Sequence, residues 1–262
     1  MDLEITGKRA LVLASSRGLG LGIAERLAGE GADVIICGRS EARLAEAAAA
    51  ITARGKGKAS HVVADLTDQK VVDHLEQAVR DRFGDLDILV NNTGGPPPGA
   101  MSEMKVELVA KQFEIMVLRI IDLTARFVPA MQARKWGRVL TVASSGVIQP
   151  IPNLGLSNAL RATLVGWSKS MANELAKDGI TFNMLLPGRI DTERVEELDT
   201  ANAKRTGKSM EEIREAARLT IPAGRYGTAQ EFASVAAFLV SGPASYVTGG
   251  LVRCDGGAIK SV

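Results

Sequence analysis

The sequence predicts an α/β fold, with a doubly wound, seven-stranded parallel sheet in a single domain that spans residues 1–262. Three observations predict it. Short aliphatic runs alternate with longer amphipathic stretches, a glycine-rich turn follows the first run, and neither a linker nor a repeat divides the chain. A chain of this length can bury most of the surface that its unfolded form exposes, so it needs no disulfide or metal to fold.

The aliphatic runs predict strands that are buried on both faces, as in a parallel sheet. They cover residues 9–14, 33–37, 60–63, 86–90, 138–143, 180–186 and 250–254. Helical patterns lie between them at residues 18–29, 41–53, 68–83 and 156–177. Ligands of such sheets bind outside the carboxyl ends of the strands, so we expect the functional site at that edge.

Composition and charge exclude several classes of function. The net charge is +2 and the basic residues are spread along the chain, which favours a mixed-charge surface over nucleic-acid binding. The two cysteines, Cys37 and Cys254, lack the spacing of a metal site, and we expect reduced thiols and no metal. The start carries no apolar signal region, and no run approaches the roughly 18 apolar residues that cross a bilayer. We therefore expect a cytoplasmic protein with no membrane role.

A charged, helix-forming insertion covers residues 193–219, between the sixth strand and the last helix. One interpretation is a solvated helical excursion, and the other is a lid over the substrate cleft. Its basic residues could contact an acidic carrier protein or form an ordinary solvated face. These residues are Lys204, Arg205, Lys208 and Arg214.

The first strand runs into a glycine-rich turn where a helix begins. Glycines there let the backbone approach a pyrophosphate, and the helix N-terminus offers free N–H groups and a positive dipole end. The turn therefore predicts a dinucleotide site of the Rossmann type. The residues predicted to bind are Ser15, Ser16, Arg17, Gly18, Leu19 and Gly20.

The end of the second strand favours NADP over NAD. An NAD site usually has a carboxylate there for the ribose hydroxyls, but Gly38 and Arg39 occupy this position. Arg39 and Arg17 would suit a 2′-phosphate, because a guanidinium fork can make two hydrogen bonds to it. We therefore expect NADP(H) as the cofactor.

These motifs resemble the short-chain dehydrogenase/reductase family over essentially the whole chain, and its 3-oxoacyl-acyl-carrier-protein reductases most closely. Gly18 and Gly20 match the glycines of the family's Thr-Gly-xxx-Gly-x-Gly loop, where Leu13 and Ala14 replace the Thr and the first Gly. The resemblance implies further cofactor-binding residues, which are Asp65 and Leu66 at the adenine, Asn92, Thr93 and Gly94 after the fourth strand, and Pro187, Gly188 and Ile190 beside the nicotinamide. The C-terminal landmarks Gly224-Arg225-Tyr226-Gly227, Tyr246-Val247-Thr248-Gly249 and Asp255-Gly256-Gly257 also match.

The catalytic positions depart from the family pattern of an upstream Asn, a Ser and Tyr-xxx-Lys. Ser144 falls on the Ser, Ser157 on the Tyr, Arg161 on the Lys and Met116 on the Asn. A serine hydroxyl is a far weaker acid than a tuned tyrosine, and arginine remains charged. We expect the catalytic residues to be Ser144, Ser157 and Arg161, with held water supplying the proton. Neither Tyr226 nor Tyr246 is expected to reach the nicotinamide.

Two functions remain open. The first is an NADP-dependent oxidoreductase acting on a carbonyl compound or secondary alcohol, with a 3-oxoacyl thioester as one candidate. The second is a binding module that senses NADPH or scaffolds a partner without redox chemistry. The resemblance also implies a homotetramer or homodimer, with helices at residues 105–131 and 156–177 in the interface.

Overall fold

In the computed structural model, which describes residues 1–54 and 56–261, seven strands form one sheet in the order β3-β2-β1-β4-β5-β6-β7. All neighbouring strands are parallel. The strands are β1 (Arg9–Val12), β2 (Asp33–Gly38), β3 (Ala59–Val63), β4 (Ile88–Asn91), β5 (Gly137–Val142), β6 (Ile180–Pro187) and β7 (Leu251–Cys254). The predicted doubly wound, seven-stranded parallel sheet in one domain is confirmed.

Helices cover both faces of the sheet. They are α1 (Gly18–Gly29), α2 (Glu41–Arg54), α3 (Val71–Phe83), α4 (Val106–Phe113), α5 (Arg119–Arg134), α6 (Gly155–Leu175), α7 (Glu193–Thr206), α8 (Met210–Arg218) and α9 (Ala229–Leu239). Successive side chains of β1 point to opposite faces of the sheet, so they pack in two different hydrophobic layers. Ala10 and Val12 pack with α1, α2 and α9, whereas Leu11 lies with α3, α5 and α6.

Some predicted boundaries shift for local reasons. The first strand ends at Val12 because Ala14 already has a left-handed backbone, with φ of 46°. The helix predicted from residue 68 begins at Val71, since the Asp68 carboxylate accepts the backbone N–H of Lys70 in a turn. The helix predicted over 156–177 ends at Leu175 and continues as one 3₁₀ turn.

A π-helical segment, Glu114–Leu118, joins α4 to α5 within the helix predicted over residues 105–131. Such segments add a residue to one turn and often occur at functional sites. It buries Met116 and Val117 in the core. Amphipathic periodicity alone did not indicate this change of helical register.

The insertion at 193–219 is two helices rather than one. Gly207, with φ of 69°, ends α7, and the Ser209 capping box with Glu212 starts α8. Thr192 caps α7 by accepting the backbone N–H of Val195. Asp191 does not share this role, because its carboxylate accepts a hydrogen bond from Arg214 at 2.5 Å.

Within the described residues, no helix is both long and apolar enough to cross a bilayer, and no three His, Cys, Asp or Glu side chains are grouped to hold a metal. Cys37 is buried and Cys254 is half-buried, and both are free thiols. Burial raises the pKa of the Cys37 thiol to about 12, so this thiol stays protonated at neutral pH.

A partly buried ion pair joins β1 to the start of β4 at the amino end of the sheet. Arg9 donates from Nε and Nη2 to the two carboxylate oxygens of Asp87, each at 2.8 Å. Asp87 is 5% exposed and also accepts the backbone N–H of Arg9. Burial alone would raise the pKa of Asp87, but these hydrogen bonds outweigh it and hold the pKa below its usual value.

Replacement of Asp87 by Asn is expected to lower the free energy of unfolding at pH 7 by about 2–3 kcal/mol, because it leaves the Arg9 guanidinium without its carboxylate. A lowered pKa in the folded state contributes stability above the unfolded pKa of about 3.9, and this contribution is lost as the pH falls through the folded value. Urea unfolding from pH 7 down to pH 3 should therefore show the two proteins converging in acid. Glu46→Gln is the control, because it removes the charge of an exposed carboxylate. A difference that stays constant with pH contradicts the assignment.

Candidate functional site

The candidate site lies at the carboxyl edge of the sheet, where the strand order reverses between β1 and β4. Crossovers leave these two strands in opposite directions, which opens a crevice between the loops that follow them. The loops after β5 and β6 begin at the same edge, because all seven described strands are parallel. The predicted site residues lie at the ends of β1 to β6 or just after them, at the start of α1, or on α6.

The loop after β1 comes unusually close to its neighbours. A Cβ at Gly20 would lie 2.5 Å from the Ala14 carbonyl oxygen and 2.8 Å from Nδ2 of Asn92. That same Nδ2 donates to the carbonyl oxygens of Leu13 and Ala14, both at 3.1 Å. Asn92 therefore ties the loop after β4 to the glycine loop, and position 20 has room only for glycine.

The start of α1 has the features of a phosphate site. Its N-cap residue, Arg17, makes no side-chain cap, and the first turn holds no acidic residue, so no side chain of this turn competes with an anion for the first N–H groups of the helix. Gly18 has φ of 59°, a conformation that glycine adopts without strain. Across the crevice, a Cβ at Gly94 would meet nothing within 4 Å. The cradle thus fits the pyrophosphate of a dinucleotide.

The predicted serines of this loop have different surroundings. The Ser15 hydroxyl is fully buried, donates to the Val12 carbonyl at 2.6 Å and accepts the Cys37 N–H at 2.9 Å. It therefore joins β1 to β2, and its hydroxyl has no further proton for a ligand. Ser16 is half-buried, and its Oγ lies 3.0 Å from the point where Gly38 would carry a Cβ. Leu19 packs partly against the core.

The two arginines predicted at the 2′-phosphate also differ. Arg39 is exposed at the end of β2 and forms no ion pair within the described chain. Arg17 instead contacts two carboxylates of α7, those of Glu193 and, at 3.1 Å, Glu197. The hydrogen bond that Arg17 donates to Glu193 is the largest influence on the pKa of Arg17, and it raises that pKa. The sequence had not indicated this contact between the glycine loop and the insertion.

The residues predicted at the adenine and nicotinamide ends lie on opposite sides of the crevice. Asp65 accepts the Thr67 N–H at 3.0 Å in a turn after β3, and Leu66 is half-buried against the core. At the other end, Gly188 follows β6, and a Cβ on it would lie 2.6 Å from Cα of Asp255. Ile190 is 3% exposed and pairs with Gly227. Pro187, the last residue of β6, is half-buried.

The three predicted catalytic residues converge beside this crevice. Ser144 follows β5, and its Oγ accepts the Gly146 N–H at 3.0 Å. Ser157 and Arg161 lie one turn apart on α6 and are 9% and 7% exposed. Arg161 donates from Nη1 to the Val142 carbonyl at 2.7 Å and from Nη2 to the Thr93 carbonyl at 3.4 Å. Its guanidinium thus bridges the end of β5 and the loop after β4.

Burial is the main influence on Arg161. Together with the smaller effect of the positive charge of Arg194, it lowers the pKa of the guanidinium to about 10. The group remains a cation at pH 7. Arg194, which no sequence motif distinguished from its charged neighbours, reaches from α7 to the Pro96 carbonyl at 3.0 Å.

The chain's two tyrosines lie away from these residues. The Tyr226 hydroxyl donates to Asp199 at 3.0 Å and accepts from Arg189 at 3.2 Å. Asp199 is buried on α7 and pairs with Arg189, so this network attaches the insertion to the loop after β6. Tyr246 is fully exposed.

The fold and this crevice define a dinucleotide-binding α/β protein. The family model described as Enoyl-(Acyl carrier protein) reductase matches residues 13–258. The 3-oxoacyl-(acyl-carrier-protein) reductase FabG of Escherichia coli strain K12 is 35% identical over 257 residues, which are 97% of this chain and 98% of the relative. The NADPH-dependent reductase BacG of Bacillus subtilis strain 168 is 30% identical over 97% of this chain and 99% of its own.

Solved structures agree with the family match. The crystal structure of L-sorbose reductase from Gluconobacter frateurii, complexed with NADPH and L-sorbose, superposes with a TM-score of 0.94 at 32% identity, covering 100% of both chains. The chain belongs to the short-chain dehydrogenase/reductase family, which confirms the resemblance seen in the sequence.

Gly20→Ala is expected to weaken binding of a nicotinamide dinucleotide at least about tenfold and to destabilise the fold by about 1–3 kcal/mol, because overpacking must displace backbone or Asn92. Gly29→Ala is the matched control, since it lies in the same helix and its Cβ would meet nothing within 4 Å. Cofactor fluorescence and thermal unfolding measure the two effects. If Gly20→Ala and Gly29→Ala show the same cofactor affinity and the same thermal stability, the close approach at Gly20 is contradicted.

Proposed function

We propose that this protein is an NADP-dependent oxidoreductase that transfers hydride between NADPH and a carbonyl compound or secondary alcohol, with 3-oxoacyl thioesters among the candidates. One observation carries the proposal. A phosphate cradle after β1 and a buried guanidinium between β4 and β5 lie at the same edge of one sheet. Such an arrangement can hold a dinucleotide and stabilise negative charge on a substrate oxygen.

The residues of the crevice would hold the cofactor along its length. The N–H groups at the start of α1 suit the pyrophosphate, and the exposed Arg39 suits a 2′-phosphate. Asp65 and Leu66 would contact the adenine. The nicotinamide end would lie among Asn92, Thr93, Gly94, Pro187, Gly188 and Ile190. The L-sorbose reductase of similar structure was crystallised with NADPH, which supports the same cofactor here.

Bound NADPH would supply a hydride to the carbonyl carbon, and the protein acts on the carbonyl oxygen. Ser144 already accepts a hydrogen bond from Gly146, so its own proton is free to donate to that oxygen. Ser157 would donate beside it. Arg161 offsets the developing negative charge without giving up its proton. The proton that completes the alcohol comes from water held by these three groups.

A binding module without redox chemistry is the second candidate. It is favoured by the positions of the tyrosines, since Tyr226 is engaged with Asp199 and Tyr246 is fully exposed. A positioned general acid is typically worth about 10²–10⁴-fold in rate. Turnover of any carbonyl substrate distinguishes the enzyme from the binding module.

We expect purified protein to oxidise NADPH with at least one member of a panel of ketones, aldehydes, quinones and 3-oxoacyl thioesters. Arg161→Ala should lower kcat/KM by about 10²–10³-fold, because it removes the fixed charge beside the oxygen. Absorbance of NADPH is the measurement. Ser144→Ala should also slow turnover, whereas Ser170→Ala, on the exposed side of α6, should not. Tight NADPH binding without turnover across the panel would contradict the oxidoreductase proposal and favour the binding module.

Arg39→Ala is expected to weaken NADPH binding by about 10-fold to 100-fold, because a charge-assisted contact with the 2′-phosphate is lost. NADH binding should change less than about threefold, since NADH lacks that phosphate. Fluorescence titration of both cofactors measures the difference. Lys56→Ala removes another exposed cation and serves as the control. Equal losses for both cofactors contradict the role of Arg39.

We also infer that residues 193–219 are the lid and that the protein is a homodimer or homotetramer. Contacts of Arg194 with Pro96 and of Glu193 with Arg17 support the lid. An open groove of about 530 Å³ on α4 and α5, with Val106 77% exposed, supports an interface there. Among the basic lid residues, Arg214 is already paired with Asp191, which weakens the case for a carrier-protein patch. A cytoplasmic location remains a prediction.

Val106→Glu combined with Leu118→Glu should convert the oligomer to a monomer, because charges would then enter an apolar contact. Light scattering of the variant and the unmodified protein is the measurement. Leu219→Glu, at a position 80% exposed on the insertion, should leave the mass unchanged. A monomeric unmodified protein contradicts the interface.

A further inference from the structure

Two guanidinium groups converge on the loop that follows β4. Arg161 approaches it from α6 and donates to the Thr93 carbonyl at 3.4 Å. Arg194 approaches it from α7 and donates to the Pro96 carbonyl at 3.0 Å. Between them, a Cβ at Gly95 would lie 2.7 Å from Nη2 of Arg194. Both cations therefore border one short stretch of backbone at the mouth of the crevice.

Arg161 has no acidic partner among the described residues. It is 7% exposed, and its recorded contacts are the carbonyl oxygens of Val142 and Thr93. These contacts use two of the five N–H groups of a guanidinium and leave three for a ligand. A buried charge is costly unless an opposite charge accompanies it. The repulsion from Arg194, which lowers the pKa of Arg161, also favours an anion in the space that both groups face.

The carboxylate that pairs with Arg194 does not neutralise the positive charges of Arg161 and Arg194. Glu197 accepts from Arg194 at 3.3 Å and also from Arg17 at 3.1 Å, so two cations share it. Arg161 and Arg194 together carry two positive charges against that one shared carboxylate. About one positive charge remains uncompensated at the loop.

We propose that the substrate is an oxo acid, a carbonyl compound whose carboxylate is bound at this loop by Arg194 and by the free N–H groups of Arg161. The inference rests on the proposed reductase function and names its substrate class. The carbonyl faces Ser144 and Ser157, while the carboxylate points toward Arg194. One carboxylate matches the single surplus charge and the guanidinium fork, whereas a phosphate monoester brings about −1.5 to −2.

Arg194 is therefore the specificity-determining residue. It belongs to the insertion and already donates to the Pro96 carbonyl, so a carboxylate held by Arg194 and Arg161 would add a second link between α7 and the loop after β4. Pro96, Pro97 and Pro98 stiffen that loop because proline fixes φ. One side of the proposed anion site is therefore the stiff loop after β4, and the other side is α7.

The test compares kcat/KM for 2-oxo and 3-oxo acids with that for their methyl esters. We expect the unmodified protein to prefer the acid by at least about 30-fold, as a charge-assisted bidentate contact allows. Arg194→Gln should reduce this preference by about tenfold or more, because the rate with the acid falls much further than the rate with the ester. Arg205→Gln, an exposed arginine of the same helix whose partner is Asn202, should keep the preference.

The outcomes separate this inference from the proposed function. Turnover of esters as fast as acids overturns the carboxylate site and leaves the reductase intact. A preference for phosphorylated ketones over oxo acids overturns the choice of carboxylate. If nothing in this set turns over, the wider carbonyl panel still tests the reductase, and calorimetry of oxo-acid binding to the NADP-loaded protein decides on the anion site. Binding that is lost in Arg194→Gln supports the anion site, and absence of binding overturns it.

Discussion

The rest of the site depends on the close approach between the glycine loop that follows β1 and the loop that follows β4. Gly20 lies so near the Ala14 carbonyl that a single methyl group has no space there. Asn92 completes the junction by holding two carbonyls of the glycine loop from the neighbouring strand. The junction requires Ala14 to adopt a left-handed backbone, which costs an L-residue about 1–2 kcal/mol. The phosphate cradle and the loop that carries Thr93 are therefore positioned relative to each other by one shared contact.

A permanent charge, rather than a tunable acid, stands at the centre of this crevice. The pKa of Arg161 stays at about 10 despite its burial, so its charge is constant across the physiological range. A tyrosine can be both donor and oxyanion, but a guanidinium only stabilises negative charge. The proposed chemistry follows from this difference: the protein supplies electrostatic stabilisation and water supplies the proton. The same fixed charge also makes an anionic substrate the natural partner of the site.

The fold was predictable because parallel strands buried on both faces produce aliphatic runs that the chain displays in order. The phosphate loop was predictable because its glycines follow a strand and open a helix. The π-helical turn was not, since Glu114–Leu118 has the same kind of amphipathic pattern as the helices beside it. The position of Arg194 at the loop after β4 was not predictable either, because only the folded chain brings α7 to Pro96. Asp199 is a polar residue in a charged helix, and its burial against Arg189 depends on tertiary contacts that no local pattern encodes.

The contact of Arg17 with Glu193 and Glu197 makes α7 a tethered competitor for any anion that approaches the glycine loop. Because these carboxylates belong to the same chain, their effective concentration is fixed by geometry and does not fall on dilution. Exposed ion pairs of this kind are worth only about 0–1 kcal/mol, so a phosphate group displaces them readily. Any anion that binds Arg17 therefore competes with Glu193 and Glu197, so anion binding at the glycine loop and the contact of α7 with that loop are thermodynamically linked.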